Sequence, residues 1–263
     1  MGVNLPSVLM SESSTRTAAR PATGGRVALR RLAIVPAYDE EPSIAGVVRE
    51  IRAADPDLEI VVIDDGSTDG TAAAARQAGA EVVRLPFNLG IGGAMQTGYQ
   101  YARDHGFDLA VQIDGDGQHD PRELPKLIQP IVQGVTDMTV GTRFAGGSGY
   151  RPPFARRIGI ELFAWLVSLL VRQRVTDTTS GFRAVNRKGI LLFASDYPHD
   201  YPEVETTVWV FRHKLRMQEV PVEMRTRSSG RSSITLFRSI YYVLKVSLAL
   251  FIGLFRRYST PGE

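Results

Sequence analysis

Glu59 to Gln77 reads "EIVVIDDGSTDGTAAAARQ", and this stretch decides what kind of fold the chain can form. "IVVI" is a β-branched run of the length of a buried strand, "DDGSTDG" is a turn of Asp, Gly and Ser, and the alanine-rich end is helix-forming. A strand that is apolar throughout and runs straight into a helix is half of a βαβ unit. The same plan precedes it. "RLAIVPAY" (Arg31 to Tyr38) is a short apolar run, and "EPSIAGVVREIRAA" (Glu41 to Ala54) spaces Ile44, Val47, Val48 and Ile51 at helical intervals, with Pro42 in the first turn. It also follows: "EVVRLP" predicts a third strand, "GGAMQTGYQYARDHG" a helix closed by Gly106, "LAVQID" a fourth strand and "DMTVGTRF" a fifth. Strands alternating with helices predict parallel pairing, a sheet covered on both faces and a ligand site at the strands' carboxyl ends.

With 263 residues the chain suits one large domain or two small ones. It has no cysteine, which excludes disulfides and thiolate metal sites and fits a reducing compartment. The net charge of +3 hides an uneven distribution. Leu32 to Thr142 carries 18 acidic against 7 basic residues, whereas Phe211 to Arg257 carries 10 basic against 2 acidic. An acidic first half argues against nucleic acid as partner, and the basic, apolar end suggests a separate task. Residues 1–30, with "SESSTRTAARPATGG", lack the apolar core of a signal peptide and are expected to form a disordered tail on the cytosolic side.

Three polar clusters fall at predicted strand ends: "PAYDEE", "DDGSTDG" and "DGDGQHD". Asp114 and Asp116, two residues apart, can point the same way, and Gly115 and Gly117 allow a ligand to come close. With the side-chain carbonyl of Gln118 they offer hard oxygen ligands suited to Mg²⁺ or Mn²⁺ shared with phosphate. A lone DxD is more often a solvated acidic turn; two matching clusters at neighbouring strand ends favour the metal. Asp64 and Asp65 can accept from a ribose hydroxyl or a base N–H, and Asp65 or Ser67 can equally cap the following helix. Tyr38 can lie beside a base, with Glu40 as a polar contact. "NLGIGGA" (Asn88 to Ala94) is either a phosphate loop or a tight strand-to-helix turn, and matches neither standard glycine-rich pattern. "TDTTSGFRAVNRKG" brings Asp177, Ser180 and Arg183 together in a polar, turn-rich stretch. His119, amid carboxylates, is read as a supporting or surface group.

Taken in order, "PAYDEE", "VVIDDGSTDGT", "NLGIGGAMQTGY", "QIDGDGQHDP", "VGTRF" and "DTTSGFRAVNRK" resemble the family 2 glycosyltransferases of the GT-A fold, nearest the dolichyl- and polyprenyl-phosphate mannose synthases. The resemblance runs from about Arg31 to Arg227. It implies an αβα sandwich with a mostly parallel sheet, and a C-terminal amphipathic segment over 228–263. Pro36, Tyr38, Glu40, Asp65 and Asp114 would surround the nucleotide, and Asp114, Asp116 and Gln118 would hold the cation. Arg143, Arg157, Ser180, Arg183 and Glu205 would face the acceptor, with Asp116, Asp177, Arg143 and Arg183 taking part in the chemistry. Where many relatives have a serine four residues beyond Arg157, this chain has Glu161. "RTRSSGRSS" resembles a loop that closes over bound donor, with Arg227 and Arg231 near phosphate.

Implied too are a nucleotide-sugar donor, linked to UDP or GDP, a polyprenyl phosphate acceptor, an inverting displacement and a peripheral place on the cytoplasmic side of the membrane, with a small membrane helper protein as partner. A lipid phosphate is already anionic and needs arginines; a sugar hydroxyl would need a base, for which Asp177 is the candidate. Ser239 to Phe255 is 17 residues interrupted by Lys245, short of the roughly 20 a spanning helix needs. It suits a helix lying in the interface, with Arg256 and Arg257 at the headgroups. A sugar nucleotidyltransferase, or a non-catalytic binding protein on the same fold, are the readings from other classes.

Overall fold

The computed structural model of the chain describes residues 29–143, 164, 167–169, 175–177, 180–198 and 202–225. The N-terminal tail up to residue 28, Arg157, Glu161, Arg227, Arg231 and the whole C-terminal segment lie outside them. Arg30, the last residue of the predicted tail, is described: it pairs with Glu59 at 2.9 Å and lies 4.3 Å over the ring of Phe107.

Strand β1 (Arg31–Ala37) leads to helix α1 (Glu41–Ala54), β2 (Glu59–Asp64) to α2 (Thr71–Gln77), and β3 (Glu81–Arg84) to α3 (Gly90–Asp104). Then come β4 (Leu109–Gln112), α4 (Leu124–Val132), β5 (Met138–Thr142), β6 (Arg183–Asn186), α5 (Arg187–Ser195), α6 (Pro202–Arg212) and β7 (Met217–Pro221). The strands form one seven-stranded sheet in the order β3-β2-β1-β4-β6-β5-β7. β1 pairs in parallel with β2 and β4, β2 with β3, and β5 with β7.

The period of two in the strands sorts their side chains into two cores. Leu32, Ile34, Val61 and Ile63 pack on one face with Met95, Tyr99, Ile190 and Phe193 of α3 and α5. Ala33, Val35, Ile60 and Val62 pack on the other with Ile44, Val48 and Ile51 of α1 and Leu127 of α4. Helices on both faces leave only the strand ends open to ligands. Close approach sets α3 against β1: a Cβ at Gly98 would lie 2.3 Å from Ile34 Cγ2.

One stretch departs from its sequence reading. "TDTTSGFRAVNRKGI", read as polar and turn-rich, contains β6 and the start of α5. β6 inserts antiparallel between β4 and β5, so pairing is not wholly parallel. Only Ala184 and Val185 mark it, one for each core, and two apolar residues between arginine and asparagine carry no visible period. Asp137 ties this half together. It accepts from Arg216 N at 2.9 Å, Arg216 Nε at 3.1 Å and Asn186 Nδ2 at 2.8 Å, joining the region before β5 to β6 and β7. Burial opposes its charge, but the Arg216 and Asn186 hydrogen bonds prevail and hold its carboxyl at about 2.

Candidate active site

Because β1, β2 and β4 run in parallel, Pro36–Glu40, Asp64–Gly70 and Asp114–Asp120 emerge at one edge of the sheet. Between them lies a cleft of about 320 Å³ lined by Pro36, Tyr38, Glu40, Asp65, Asp114 and Asp116, among others. All five residues expected to surround a nucleotide, and one further carboxylate, therefore meet in one place. Tyr38 is 47% exposed at the cleft, which leaves its ring available for stacking.

Neither Asp65 nor Ser67 caps α2 with its side chain; the Thr71 N–H goes to Asp69 instead. Asp65 is instead buried, and its Oδ1 accepts the Leu89 N–H at 2.7 Å, tying the "NLGIGGA" turn to the end of β2. Burial pushes the Asp65 carboxyl up, against the Leu89 and Gly90 amides, and the neighbouring Asp64 adds to the rise. Asn88 Oδ1 accepts from Gly90 N at 2.9 Å, and Asn88, Gly90, Ile91 and Ala94 form the far wall of the cleft. Asp64 is sealed, with Oδ1 on Ser67 N at 2.9 Å and Oδ2 3.3 Å from Arg84 Nε.

The "DGDGQHD" turn is held from several sides. Gln118 N donates to Asp116 Oδ1 at 3.0 Å, and the Gln118 carboxamide meets Asp116 Oδ2. Arg225 N donates to the Gln118 carbonyl at 2.9 Å, while its guanidinium reaches Asp120 at 3.1 Å. Arg122 and Arg225 keep the Asp120 carboxyl at about 2, against the burial that would raise it. For a cation the donor chemistry fits. Two carboxylates and a carboxamide are hard oxygen donors, and Asp114 and Asp116 both face the cleft. Among the described residues no cluster of three or more His, Cys, Asp or Glu could hold a metal. The protein thus offers a partial shell of the kind Mg²⁺ and Mn²⁺ complete with substrate phosphates.

On the acceptor side the structure redistributes roles. Arg143, just beyond β5, forms a two-pronged pair with Asp177, Nε to Oδ2 at 3.1 Å and Nη2 to Oδ1 at 3.3 Å. The segment carrying Asp177 is gripped by Glu219 of β7, whose Oε1 accepts from Thr176 N at 2.7 Å and Asp177 N at 2.9 Å. Arg183 is 2% exposed, and its guanidinium is taken up by the Ser180 carbonyl at 2.7 Å, the Glu203 carbonyl at 2.5 Å and the Thr206 hydroxyl. These bonds make Arg183 a brace between the "SGFR" loop and α6. Ser180 is likewise buried, with Oγ accepting from Phe182 N at 3.3 Å. Glu205 is half-buried on α6.

The "SGFR" loop touches the end of β4 and the "DGDGQHD" turn. A Cβ at Gly181 would stand 3.0 Å from Gln112 Nε2 and 3.3 Å from Asp114 Oδ2, so only glycine fits without displacing them. Sequence reasoning missed Gln112, Glu203 and Glu219 as site residues. Glu203 has its carboxyl pushed up by burial; Arg183 opposes the rise and Asp114 adds to it. Nothing local in "EVET" separates Glu203 from Glu205. Glu219 carries no local signal, because its hydrogen bonds span 43 residues to Thr176.

An acid-lined cleft at the carboxyl edge of a mostly parallel sheet is the place where enzymes of this architecture hold a nucleotide. The chain belongs to glycosyl transferase family 2, whose model matches residues 32–192. It is 30% identical over 220 residues to the undecaprenyl-phosphate mannosyltransferase of Micrococcus luteus, covering 79% of this chain and 88% of that one. It is 30% identical over 239 residues to the UDP-N-acetylglucosamine–dolichyl-phosphate N-acetylglucosaminyltransferase of Methanococcus voltae, covering 82% and 95%. Among solved structures it is similar to glucosyl-3-phosphoglycerate synthase from Mycobacterium tuberculosis, seen with Mn²⁺, UDP-glucose and phosphoglyceric acid. The TM-score is 0.63, the identity 25%, and the match covers 84% of this chain and 79% of that one.

Proposed function

We propose that the protein moves a sugar from a nucleoside-diphosphate sugar to the phosphate of a polyprenyl-type lipid, at a membrane surface. Two relatives named for lipid-phosphate acceptors match most of the chain and support this reading. The observation that carries it is the state of Asp177. Its carboxylate, sealed from solvent and gripped by Arg143, is not arranged to take a proton from a sugar hydroxyl. A phosphate monoester is ionised at neutral pH and attacks without a base.

In the reaction the bond from the anomeric carbon to the diphosphate oxygen breaks, and its electron pair leaves with the nucleoside diphosphate. A lipid-phosphate oxygen forms the new bond from the opposite face, inverting the centre. Tyr38 and Asp65 hold the nucleoside, and Asp114, Asp116 and Gln118 are the residues that would hold Mg²⁺ or Mn²⁺. When bound, the cation neutralises charge developing on the departing diphosphate. Arg143 lies beside the acceptor phosphate and orients it, prepositioned by Asp177. Arg157, Arg227, Arg231 and the interfacial segment 239–263 complete the reading from the resemblance alone and lie outside the described residues. Among the described residues no helix is long and apolar enough to cross a membrane.

The test is to incubate the full chain with a panel of UDP- and GDP-linked sugars, Mn²⁺ and polyprenyl phosphate, and to weigh the lipid. One donor should add the mass of one sugar residue to the lipid. Failure with every donor, while one is consumed on a hydroxyl acceptor, contradicts the proposal.

A further inference from the structure

Behind Asp114 stands a histidine that the proposed chemistry leaves unused. His119 is 5% exposed and its ring stacks on Phe182, centroids 4.7 Å apart and planes within 10°. Its backbone is fixed as well, through a bridge to Met224. The Asp114 N–H donates to His119 Nδ1 at 3.1 Å, which leaves Nε2 as the ring's other nitrogen. That Nε2 faces Asp114 Oδ2 at 3.6 Å. On the other oxygen, Gln112 Nε2 donates to Asp114 Oδ1 at 3.2 Å. Gly181 closes the remaining side. The 3.6 Å separation from His119 Nε2 is beyond hydrogen-bond reach, so Asp114 is held at its backbone by His119 and at Oδ1 by Gln112, on a side chain that lines the cleft.

Such a hold is what a ligating carboxylate needs. Partners behind a metal ligand fix its orientation, and losing one typically lowers metal affinity 10- to 100-fold. We propose that His119 is the positioning residue of Asp114: by accepting the Asp114 N–H at Nδ1 it fixes the backbone that carries the carboxylate, so that Asp114 meets the cation already oriented. The inference rests on the metal site of the proposed function. It assigns His119 no contact with sugar, nucleotide or ion.

Mn²⁺ binding to the full chain, followed by loss of the free-ion EPR signal in the presence of UDP and in parallel of GDP, tests this without turnover. Wild type should take up one Mn²⁺ with at least one of the diphosphates, and Asp116→Ala should lose it. His119→Phe keeps the stack on Phe182 but has no ring nitrogen, and should weaken Mn²⁺ at least tenfold. His119→Gln restores a side-chain acceptor for the Asp114 N–H and should recover part of that loss. A purely structural role would lower the melting temperature of both variants and leave Mn²⁺ affinity within twofold of wild type, which overturns the inference. Should His119→Phe fail to fold, wild-type Mn²⁺ affinity in His119→Leu, which likewise offers no acceptor to the Asp114 N–H, overturns it equally. If wild type binds no Mn²⁺ with either diphosphate, the metal site itself is refuted and the positioning role goes with it.

Discussion

Arg143 and Asp177 approach each other across 34 residues of chain with both prongs of the guanidinium on both carboxylate oxygens. Fork-to-fork geometry fixes the plane of the guanidinium as well as its position. The arginine is thereby aimed by a carboxylate, and the carboxylate is in turn aimed by Glu219 through the Thr176 and Asp177 amides.

Arg143→Ala leaves Asp177 buried without this partner, at a cost of about 3 kcal/mol to the fold. In turnover it should raise KM for lipid phosphate at least tenfold and leave KM for the donor within about twofold. Steady-state kinetics with each substrate varied in turn separate the two. Equal effects on both would remove Arg143 from the acceptor side.

Asp116→Ala should abolish divalent-metal-dependent turnover. Asp114 and Asp116 are like charges in one cleft, so removing one should leave the metal-free protein as stable or slightly more so. Thermal melting without metal, beside an activity assay with Mn²⁺, reads both. Full turnover in the variant would contradict the role.

How much of this was legible beforehand follows from where the signals lie. The three βα units showed themselves because apolar runs, turn residues and helical spacing are local patterns, and with parallel pairing they place Pro36, Tyr38, Glu40, Asp65, Asp114 and Asp116 in one cleft. β6 stayed hidden because "RAVN" borrows its burial from β4 and β5, which only the fold supplies. The bracing bonds of Arg183 were hidden for a related reason. An arginine in a polar loop reads as a phosphate ligand, and only α6, arriving 20 residues later with the Glu203 carbonyl and the Thr206 hydroxyl, turns it into a brace. Asp177 was the candidate base because its partner, Arg143, lies 34 residues away in sequence.

Acid should loosen the β5–β6–β7 half first. Asp137 is held at about 2, below its ordinary value of 3.8, so its stabilisation is present above pH 4 and is lost as pH falls toward 2. The shift is worth about 1–2 kcal/mol once the half-exposed Arg216 is allowed for. Asp137→Asn should therefore melt below wild type at pH 7, and the gap should narrow at pH 3. A gap that stays constant with pH would assign the effect to packing.

Gly66→Ala probes the turn after β2. Gly66 has φ of 74°, and a Cβ there would stand 2.7 Å from the Phe87 carbonyl carbon. The left-handed conformation alone costs about 1–2 kcal/mol for alanine. The variant should melt several degrees lower and bind UDP or GDP at least tenfold more weakly, because Asp65 and Leu89 are displaced with it. Isothermal titration calorimetry with wild-type nucleotide affinity would show that the turn does not shape the cleft.

The most direct measurement concerns the acceptor's phosphorus. After reaction of the full chain with Mn²⁺, its preferred nucleotide sugar and polyprenyl phosphate, ³¹P NMR of the extracted lipid distinguishes monoester from diester. Transfer as proposed converts the lipid's monoester resonance into that of a sugar phosphodiester, in step with release of nucleoside diphosphate. A lipid phosphate that stays a monoester while the sugar appears on a hydroxyl group would contradict the account.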